Sequence, residues 1–455
     1  SISPKNYHFS SLDWAFKLIC EKSGFAIRFM DKRFFNIFNL TEDQAIALLD
    51  TPQDQIKEND SRYIAASHLI NFPTEQAINA LIRAVQNNDP TLDNRIVRRK
   101  SVETLGRLEA KQALDVIHTC LKDDDRYTVE NAVWAVGEIG TSDVNILEDI
   151  AQLLDKPGQT YRVIIHTLTK LNYEPALDRI RQFINDLDPL IASAAITSVC
   201  RFSKDYSQMG KVIVMLQHQN VLARRLSIQD LIDARYYNAI PDIARCPVSL
   251  VFRLRGIRML AEAGMKSEEI TFEMIQPPLE QTIRDHPDDL GLVHSYETTP
   301  DLTVLVRTLY ETDFGKCYLA SKTILDHYAD TAASALLANY EEEVKSDYGA
   351  HFHVIKLLGW LKYAPAYDLL LEALHNLQPQ YQKSRAAAAI ALGELGVSKA
   401  IPVLKATLSS KNWVLKYATL MALEKLGCRD GHEIALNDSD WLIQAKAQLQ
   451  STLIN

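Results

Sequence analysis

The feature that most constrains this chain is a pattern of residues that repeats along most of its length. One column of eleven positions recurs at intervals of roughly 30 residues, apart from one step about twice as long between Arg253 and Tyr318. An aliphatic residue follows each member by seven positions, and in most cases a small residue follows it by three. The members of the column are Tyr63, Arg98, Val129, Tyr161, Ala192, Arg224, Arg253, Tyr318, His351, Arg385 and Lys416.

This register predicts pairs of antiparallel helices stacked one after another. A small residue lets two helices approach closely, and an aliphatic residue one turn later fills their contact. The period is typical of HEAT or armadillo units, and the tetratricopeptide and ankyrin signatures are absent. We therefore predict an all-α fold, an α-solenoid of HEAT type that curves into a superhelix. Its second helices are expected to line a concave ligand groove.

The register also predicts how the 455 residues are divided. Residues 1–58 are expected to form an N-terminal cap, in which the aromatic-rich stretch 25–40 covers the open end of the array. A short helix begins after Thr41, which is a suitable N-cap residue. Residues 59–270 and 313–455 form two halves of the array. Residues 271–312, with Pro277 and Pro278, form an irregular repeat or connector.

Composition excludes several classes of function. The net charge of −9 argues against nonspecific nucleic-acid binding. The six cysteines are scattered singly, so neither a disulfide framework nor a metal site is expected. No P-loop or dinucleotide fingerprint occurs, which predicts no nucleotide cofactor. No long apolar run or secretory signal is found either, so we expect a cytoplasmic protein that does not interact with a membrane.

The column itself is rich in side chains that bind flat anions. Arginine, lysine, tyrosine and histidine occupy nine of its eleven places. Arginine pairs with carboxylates and aromatic rings stack on planar π systems, so the column predicts a groove for a flat, conjugated anion. The alternative is structural, because an arginine after a turn also stabilises the next HEAT unit through that unit's carboxylates.

One helix, within Asp123–Gly140, carries the most distinctive combination. Its hydrophobic side chains fall on one face and are explained by stacking alone. The other face carries Tyr127, Glu130, Asn131, Trp134 and Glu138.

Two stretches carry a family resemblance. NRIVRRKSVETLGRL at 94–108, followed by DDDRYTVENAVWAVGEIG at 123–140, resembles the E/F-type phycobilin lyases of cyanobacteria. The single-chain length and the stretch 60–85 are most similar to the lyases and lyase-isomerases of phycoerythrin α subunits. The resemblance implies that the chain binds phycoerythrobilin and delivers it to a cysteine of a phycoerythrin α subunit, forming a thioether. In the lyase-isomerases the product is phycourobilin. It implies no cofactor, since the bilin is the substrate.

The resemblance also implies roles for residues in the YxxENxxW segment. Glu130 faces the pyrrole nitrogens, and Tyr127 and Trp134 form the surrounding walls. Asn131 is a further ligand-binding candidate. The alternative for Glu130 is an ion pair with an arginine of the preceding repeat. The candidates for binding the propionates are Arg98, Arg99, Arg162 and Arg224. Two further column residues, Tyr161 and His351, are also candidates for contact with the ligand.

Isomerisation would need a proton removed from one ring carbon and returned at another. Tyr318 is the favoured group, with Cys317 and Asp313 beside it in the chain. Cys317 also fits a buried structural thiol. His351 and His353 are further candidates.

Three other functions stay open at this point. The chain could be a plain bilin lyase that does not isomerise the pigment. It could be a chaperone that carries a bilin without transferring it, or a noncatalytic HEAT adaptor that binds a protein through the same wall.

Overall fold

The computed structural model describes residues 40–56, 60–338 and 340–452. Within these ranges the regular secondary structure is helical, with no strand, which confirms the predicted all-α class. The structure forms two compact units, one up to Met209 and the other from Gly210. The aromatic-rich stretch of the predicted cap lies outside the described residues, except for Leu40.

The first unit is a succession of short helices joined by tight turns. Its second helices α2, α4, α6, α8 and α10 pack side by side in chain order. The helices are α1 (Glu42–Asp50), α2 (Arg62–His68), α3 (Glu75–Gln86), α4 (Leu92–Arg107), α5 (Leu114–Cys120), α6 (Arg126–Ile139), α7 (Val144–Gln152), α8 (Tyr161–Lys170), α9 (Leu177–Arg181) and α10 (Pro189–Ser203).

The second unit continues the same pairing with one exception, α15, which lies across the row formed by its neighbours. The helices are α11 (Met209–Val214), α12 (Val221–Ala234), α13 (Ile240–Arg245), α14 (Leu250–Lys266), α15 (Phe272–Arg284), α16 (Leu302–Thr308), α17 (Phe314–His327), α18 (Ala329–Leu337), α19 (Tyr348–Trp360), α20 (Tyr367–His375), α21 (Gln382–Leu395), α22 (Ile401–Thr407), α23 (Trp413–Lys425), α24 (Asp430–Ala435) and α25 (Trp441–Thr452).

Burial follows the register that the sequence predicts. All eleven residues three positions after the column are buried, including the two large ones, Ile164 and Val354. Most of the aliphatic residues seven positions after the column are buried too, among them Leu105, Val136 and Leu358. The predicted packing of helices through small residues is confirmed.

Helix α6 shows how local sequence sets the helix ends. The Asp125 side chain accepts hydrogen bonds from the backbone N–H groups of Tyr127 and Thr128, so it caps the first turn. The helix stops at Gly140, whose φ of 76° is easily adopted only by glycine. The predicted cap at Thr41 is confirmed as well, where Thr41 and Gln44 form a reciprocal capping box.

Helix α15 is the departure from the repeat, and it falls in the predicted connector. It contacts α14 on one side and the second helices α21 and α23 on the other. Its Phe272, Ile275, Leu279 and Ile283 are buried. Across the same unit, Arg258 of α14 pairs with Asp440 at 2.9 Å. The row of second helices in this unit therefore bends around α15.

Candidate functional site

The column residues of the first unit lie between helices. The Arg98 Nε donates to the carbonyl of Val85 over 2.9 Å, and its Nη1 lies 2.8 Å from the carboxylate of Asp123. Arg98 is only 9% exposed. It thus ties the end of one helix to the turn that leads into the next, which is a structural role.

The column arginines of the second unit do the same. Arg224 donates to the carbonyl of His218 over 2.8 Å and pairs with Asp313, while Arg253 donates to the carbonyl of Ala244 over 3.0 Å. Both arginines are 0% exposed. The prediction that the column is a slice through an exposed wall is therefore wrong. The expectation that Arg98 and Arg224 meet ligand propionates is corrected with it, because their guanidinium groups are buried and already paired.

Among the described residues of the first unit, a second row of side chains lies one position further along each helix. A step of one residue turns a side chain by about 100° around a helix, away from the neighbouring turn. Residues one, five and nine positions after the column in α4, α6 and α8 share a surface that we call the open face. Its residues are Arg99, Glu103, Arg107, Glu130, Trp134, Glu138, Arg162, His166 and Lys170, with Tyr127 and Asn131 at its margin.

Charges alternate across the open face. The middle helix, α6, supplies the carboxylates of Glu130 and Glu138, and the helices on both sides supply cations. Glu103 of α4 is paired to Arg107 over 2.9 Å. The Lys170 ammonium lies 2.8 Å from a carboxylate oxygen of Glu138. On the other side, the side chains of Arg99 and Arg107 are 24% and 14% exposed. Such a surface suits a ligand that is cationic along its middle and anionic at its edges.

Glu130 occupies the centre of this pattern. One of its carboxylate oxygens accepts a hydrogen bond from the Thr160 hydroxyl over 3.0 Å. Arg98 and Arg99, the predicted alternative partners, do not bind it. Arg98 pairs with Asp123, and Arg99 pairs with Asp125 over 2.6 Å. The ion-pair alternative for Glu130 is therefore wrong, and its carboxylate is half-buried on a surface that reaches solvent.

Tyr127 forms an exposed rim of the face. It is 46% exposed, a large fraction for an aromatic residue. The guanidinium carbons of Arg99 and Arg126 lie 4.9 and 4.7 Å from the centre of its ring, within cation–π distance. Asn131, one turn along the helix, is half-buried beside it. The predicted placement of both residues on one side of α6 is confirmed.

Trp134 forms the floor of the face. It is 9% exposed, and its ring lies against the backbone of Gly106, where an added Cβ would stand 2.9 Å from the Trp134 ring. Within the described residues its indole Nε1–H has no hydrogen-bond partner. The absence of a Cβ at Gly106 therefore makes room for the indole, and we call this ring the Trp134 platform.

The two candidates on α8 point in different directions. The Tyr161 hydroxyl donates to the carbonyl of Lys156 over 2.9 Å, and its ring packs on Phe183 with centroids 4.7 Å apart. Arg162 donates to the carbonyl of Leu190 while lying on the open face. Tyr161 is therefore a packing residue, which corrects its prediction as a ligand contact, and Arg162 stays a candidate.

Tyr318 and Cys317 are sealed inside the second unit. The Tyr318 hydroxyl donates to the carboxylate of Asp285 over 3.0 Å and accepts from Arg253 over 3.1 Å. Burial and, second, the Asp285 charge raise its pKa well above the usual range. Burial raises the pKa of the Cys317 thiol to about 12. Both residues are 0% exposed, which does not fit the predicted proton transfer to a ligand and favours the structural role for Cys317.

Asp313 has a structural task that explains its place in the sequence. It caps α17, accepting from the backbone N–H of Gly315 over 2.8 Å. Its other carboxylate oxygen lies 3.0 Å from Nε2 of His294, and it also binds Arg224. Asp313 and Tyr318 are close in the sequence, as predicted, but their side chains bind different sets of partners.

The histidines of α19 are buried and neutral. The Nε2 of His351 lies 3.1 Å from the Tyr340 hydroxyl, and its Nδ1 lies 3.0 Å from the Ser384 hydroxyl. Burial lowers the pKa of His351 to about 4. Burial likewise lowers the pKa of His353, which is 0% exposed, well below its usual range. Neither is placed to meet a ligand.

Some residues of the open face were not singled out from sequence. They are Arg107 and Lys170, which stand nine positions after the column in the repeats on either side of Glu138, so the register could have found them. Two further findings concern the part of the chain that the structure describes. It contains no group of three His, Cys, Asp or Glu side chains placed to hold a metal ion. None of its helices is long and apolar enough to cross a membrane.

Comparison with known proteins places the chain among pigment-related HEAT proteins. Residues 91–157 match the HEAT repeat family, and residues 61–87 and 384–410 match the PBS lyase HEAT-like repeat. The chain is 63% identical to an uncharacterized phycocyanin operon protein Y of Pseudanabaena tenuis, over 92% of this chain and 99% of that protein. It is 32% identical to the bilin biosynthesis protein CpeY of a Synechococcus species, over 87% of this chain and 98% of the relative. It is 28% identical to the phycocyanobilin lyase subunit alpha of Synechococcus elongatus, over 50% and 88% of the two chains.

Proposed function

The chain belongs to the E/F-type phycobilin lyase family of HEAT-repeat proteins, and from this premise we propose that it attaches phycoerythrobilin to a cysteine of a phycoerythrin α subunit. The proposal includes isomerisation of the pigment to phycourobilin. The bilin is the substrate, and no further cofactor takes part.

One observation supports the proposal most strongly, namely the half-buried position of the Glu130 carboxylate on the open face. Arg98 and Arg99 are bound to aspartates of the turns, whereas among the described residues the Glu130 carboxylate accepts its hydrogen bond from the Thr160 hydroxyl, beside Trp134. A half-buried carboxylate beside an aromatic floor suits a flat ligand that carries a positive charge, because the two charges attract and the rings stack. A protonated tetrapyrrole is such a ligand.

The open face complements a bilin in shape and charge. The flat indole of Trp134 offers a stacking surface to the conjugated rings. Glu130 accepts hydrogen bonds from the pyrrole nitrogens. The two propionates reach the cations at the edges, Arg99 on α4 and Arg162 on α8, which can bind carboxylates through two parallel N–H groups. Held in this way, the bilin presents one end ring to the acceptor protein.

The attachment step needs a nucleophile that the acceptor provides. The sulfur of the acceptor thiolate adds to the ethylidene carbon of ring A and forms the thioether bond. The π electrons move into the conjugated system, and a proton is added there. Atoms and charge balance without an oxidant or reductant. Glu130 assists by keeping the bilin protonated, which makes the ethylidene carbon electrophilic, and by fixing its position.

Isomerisation requires a proton to leave one carbon and return to another. Since Tyr318 is sealed in the second unit, we assign this transfer to Glu130, whose carboxylate reaches the surface. A carboxylate can act as base and then as acid within one turnover. The Tyr318→Phe substitution should then leave the ratio of isomerised to unchanged pigment as it is in the unsubstituted protein.

Reconstitution with purified components tests the proposal. The chain, phycoerythrobilin and a phycoerythrin α subunit are mixed, and the α subunit is denatured in acidic urea. Pigment that stays on the α subunit shows covalent attachment, and its absorption distinguishes phycourobilin from phycoerythrobilin. A chain that binds the bilin but leaves the α subunit colourless would be a bilin chaperone. A chain that stays colourless after gel filtration with the bilin would be an adaptor, and the proposal would be abandoned.

A further inference from the structure

The face of the second unit that corresponds to the open face is occupied by α15. Tyr417 and Lys356 stand one and five positions after the column, the same register that brings Glu130 and Trp134 to the surface in the first unit. Here both side chains meet carboxylates of α15 or of its last turn. The helix therefore covers side chains that the repeat register would otherwise place on the surface of the second unit.

The first carboxylate is that of Asp285, which ends the helix. It binds Arg253 and Lys356 and accepts a hydrogen bond from the Tyr318 hydroxyl over 3.0 Å. The Lys356 ammonium also donates to the Asp285 carbonyl over 3.2 Å. Asp285 is 1% exposed and has a φ of 55°, a left-handed conformation that costs a residue with a side chain some stability. The contacts of its side chain offset that cost.

The second carboxylate is that of Glu280, on the helix itself. One of its oxygens lies 2.9 Å from the Lys446 ammonium and 3.3 Å from the Tyr417 hydroxyl. Lys446 is 1% exposed and is shared with Glu424, whose carboxylate lies 2.7 Å away. Each carboxylate thus binds a buried tyrosine and a buried cation. We call these two groups the sockets: Tyr318 with Arg253 and Lys356 for Asp285, and Tyr417 with Lys446 for Glu280.

Helix α15 has the features of a bound ligand helix. Its apolar side chains at 272, 275, 279 and 283 face inward, and Met274 on its outer side is 58% exposed. It contains Pro277 and Pro278 in its interior, each of which removes a backbone hydrogen bond and weakens the helix by itself. Residues 291–301, which follow it, contain no helix. A weak helix next to a non-helical segment is held by its contacts and is suited to leave as a unit.

We propose that the covered face of the second unit is a docking surface for an amphipathic acidic helix of a partner protein, and that α15 occupies it as an internal competitor. The surface offers an apolar groove with two sockets near one end. They receive one carboxylate on a helix and a second carboxylate five residues later, just past the helix end. This is the helix-in-groove mode of recognition, with charge complementarity at the C-terminal end of the helix. The inference stands apart from the bilin proposal, since it concerns the second unit alone.

A peptide that copies the resident helix tests the inference. A fluorescent peptide of residues 270–287 is titrated into the unsubstituted chain and into the Glu280→Gln/Asp285→Asn variant, with binding followed by anisotropy. In the unsubstituted chain α15 occupies the surface. In the variant it is loosened, so the peptide should bind at least roughly tenfold more tightly. A control peptide that carries Glu280→Gln and Asp285→Asn should not bind the variant more tightly than it binds the unsubstituted chain.

Two controls keep the result decisive. Glu273→Gln, on the exposed side of the same helix, should leave peptide binding unchanged. If circular dichroism shows the double variant to be unfolded, Glu280→Gln alone is used, because Lys446 keeps Glu424 as a partner. Equal peptide affinity for the unsubstituted chain and for a folded variant would overturn the inference. So would amide exchange in α15 that is as slow as in α23 and occurs only through global unfolding.

Discussion

The second helices of the two units share one register but differ in what covers them. On the first unit the described residues leave Tyr127 46% exposed and Glu130 held by a single hydroxyl contact. On the second unit Lys356 is 4% exposed beneath α15 and bound to Asp285. A repeat pattern therefore determines which side chains face outward from the helices, whereas an inserted helix determines whether a ligand can reach them.

The largest expected difference between the units is in the stability that their arginines provide. Arg253→Met removes a buried cation that binds Asp285 and two backbone carbonyls, so the free energy of unfolding should fall by about 3–5 kcal/mol. Arg99→Met breaks a pair in which the Arg99 side chain is 24% exposed, and it should cost about 1 kcal/mol. Urea unfolding followed by circular dichroism measures both. Equal losses would show that the two faces do not differ in burial as described.

Acid should weaken the second unit through its buried histidines. The folded pKa of His351 is lowered to about 4 from a usual value near 6.5, so the unfolded chain binds more protons between these values. The stability that His351 provides is therefore complete above pH 6.5 and is lost as the pH falls toward 4. Between pH 7 and 5 the loss from this residue should be about 2 kcal/mol.

Unfolding in urea at the two pH values, for the unsubstituted chain and for His351→Gln, measures this effect. The variant should show a smaller loss between pH 7 and 5, whatever its stability at pH 7. An unchanged pH dependence would mean that His351 is not buried in its neutral form.

Two glycines provide a matched pair of steric probes. In Gly106→Ala the new Cβ would stand 2.9 Å from atoms of Ala135 and Trp134, and in Gly359→Ala it would stand 2.5 Å from Ala391. Each change overpacks a helix contact and should cost about 1–3 kcal/mol in thermal or urea unfolding. Only Gly106→Ala displaces the Trp134 platform, so only this variant should bind phycoerythrobilin more weakly. Equal bilin affinity in both variants would remove Trp134 from the binding surface.

The repeat register made most of the fold predictable from sequence. Small residues and aliphatic residues at fixed spacings, such as Ala132 and Val136 in α6, report local packing between successive helices, which lies within one period. The column was misread because one position changes the direction of a side chain by about 100°. Arg98 therefore points between the helices, toward Val85 and Asp123, whereas Arg99 beside it reaches the open face.

The covering of the second face could not be read from the sequence. Lys356 meets Asp285 across 71 positions, and Lys446 meets Glu280 across 166. Such pairs follow from how the row of helices bends in three dimensions, and no local spacing records that. The prolines at 277 and 278 marked where the repeat breaks, but not that the broken segment folds back onto the row.

The central claim is that bilin binds on the open face of the first unit, around Glu130. Titration of phycoerythrobilin into Glu130→Gln and Glu280→Gln, followed by visible absorption, tests it most directly with one carboxylate from each unit. Losing a charged hydrogen bond of about 1.5–3 kcal/mol should weaken binding to Glu130→Gln by at least roughly tenfold, whereas Glu280→Gln should bind as the unsubstituted chain does. Unchanged affinity in a folded Glu130→Gln variant, or a loss confined to Glu280→Gln, would contradict the claim.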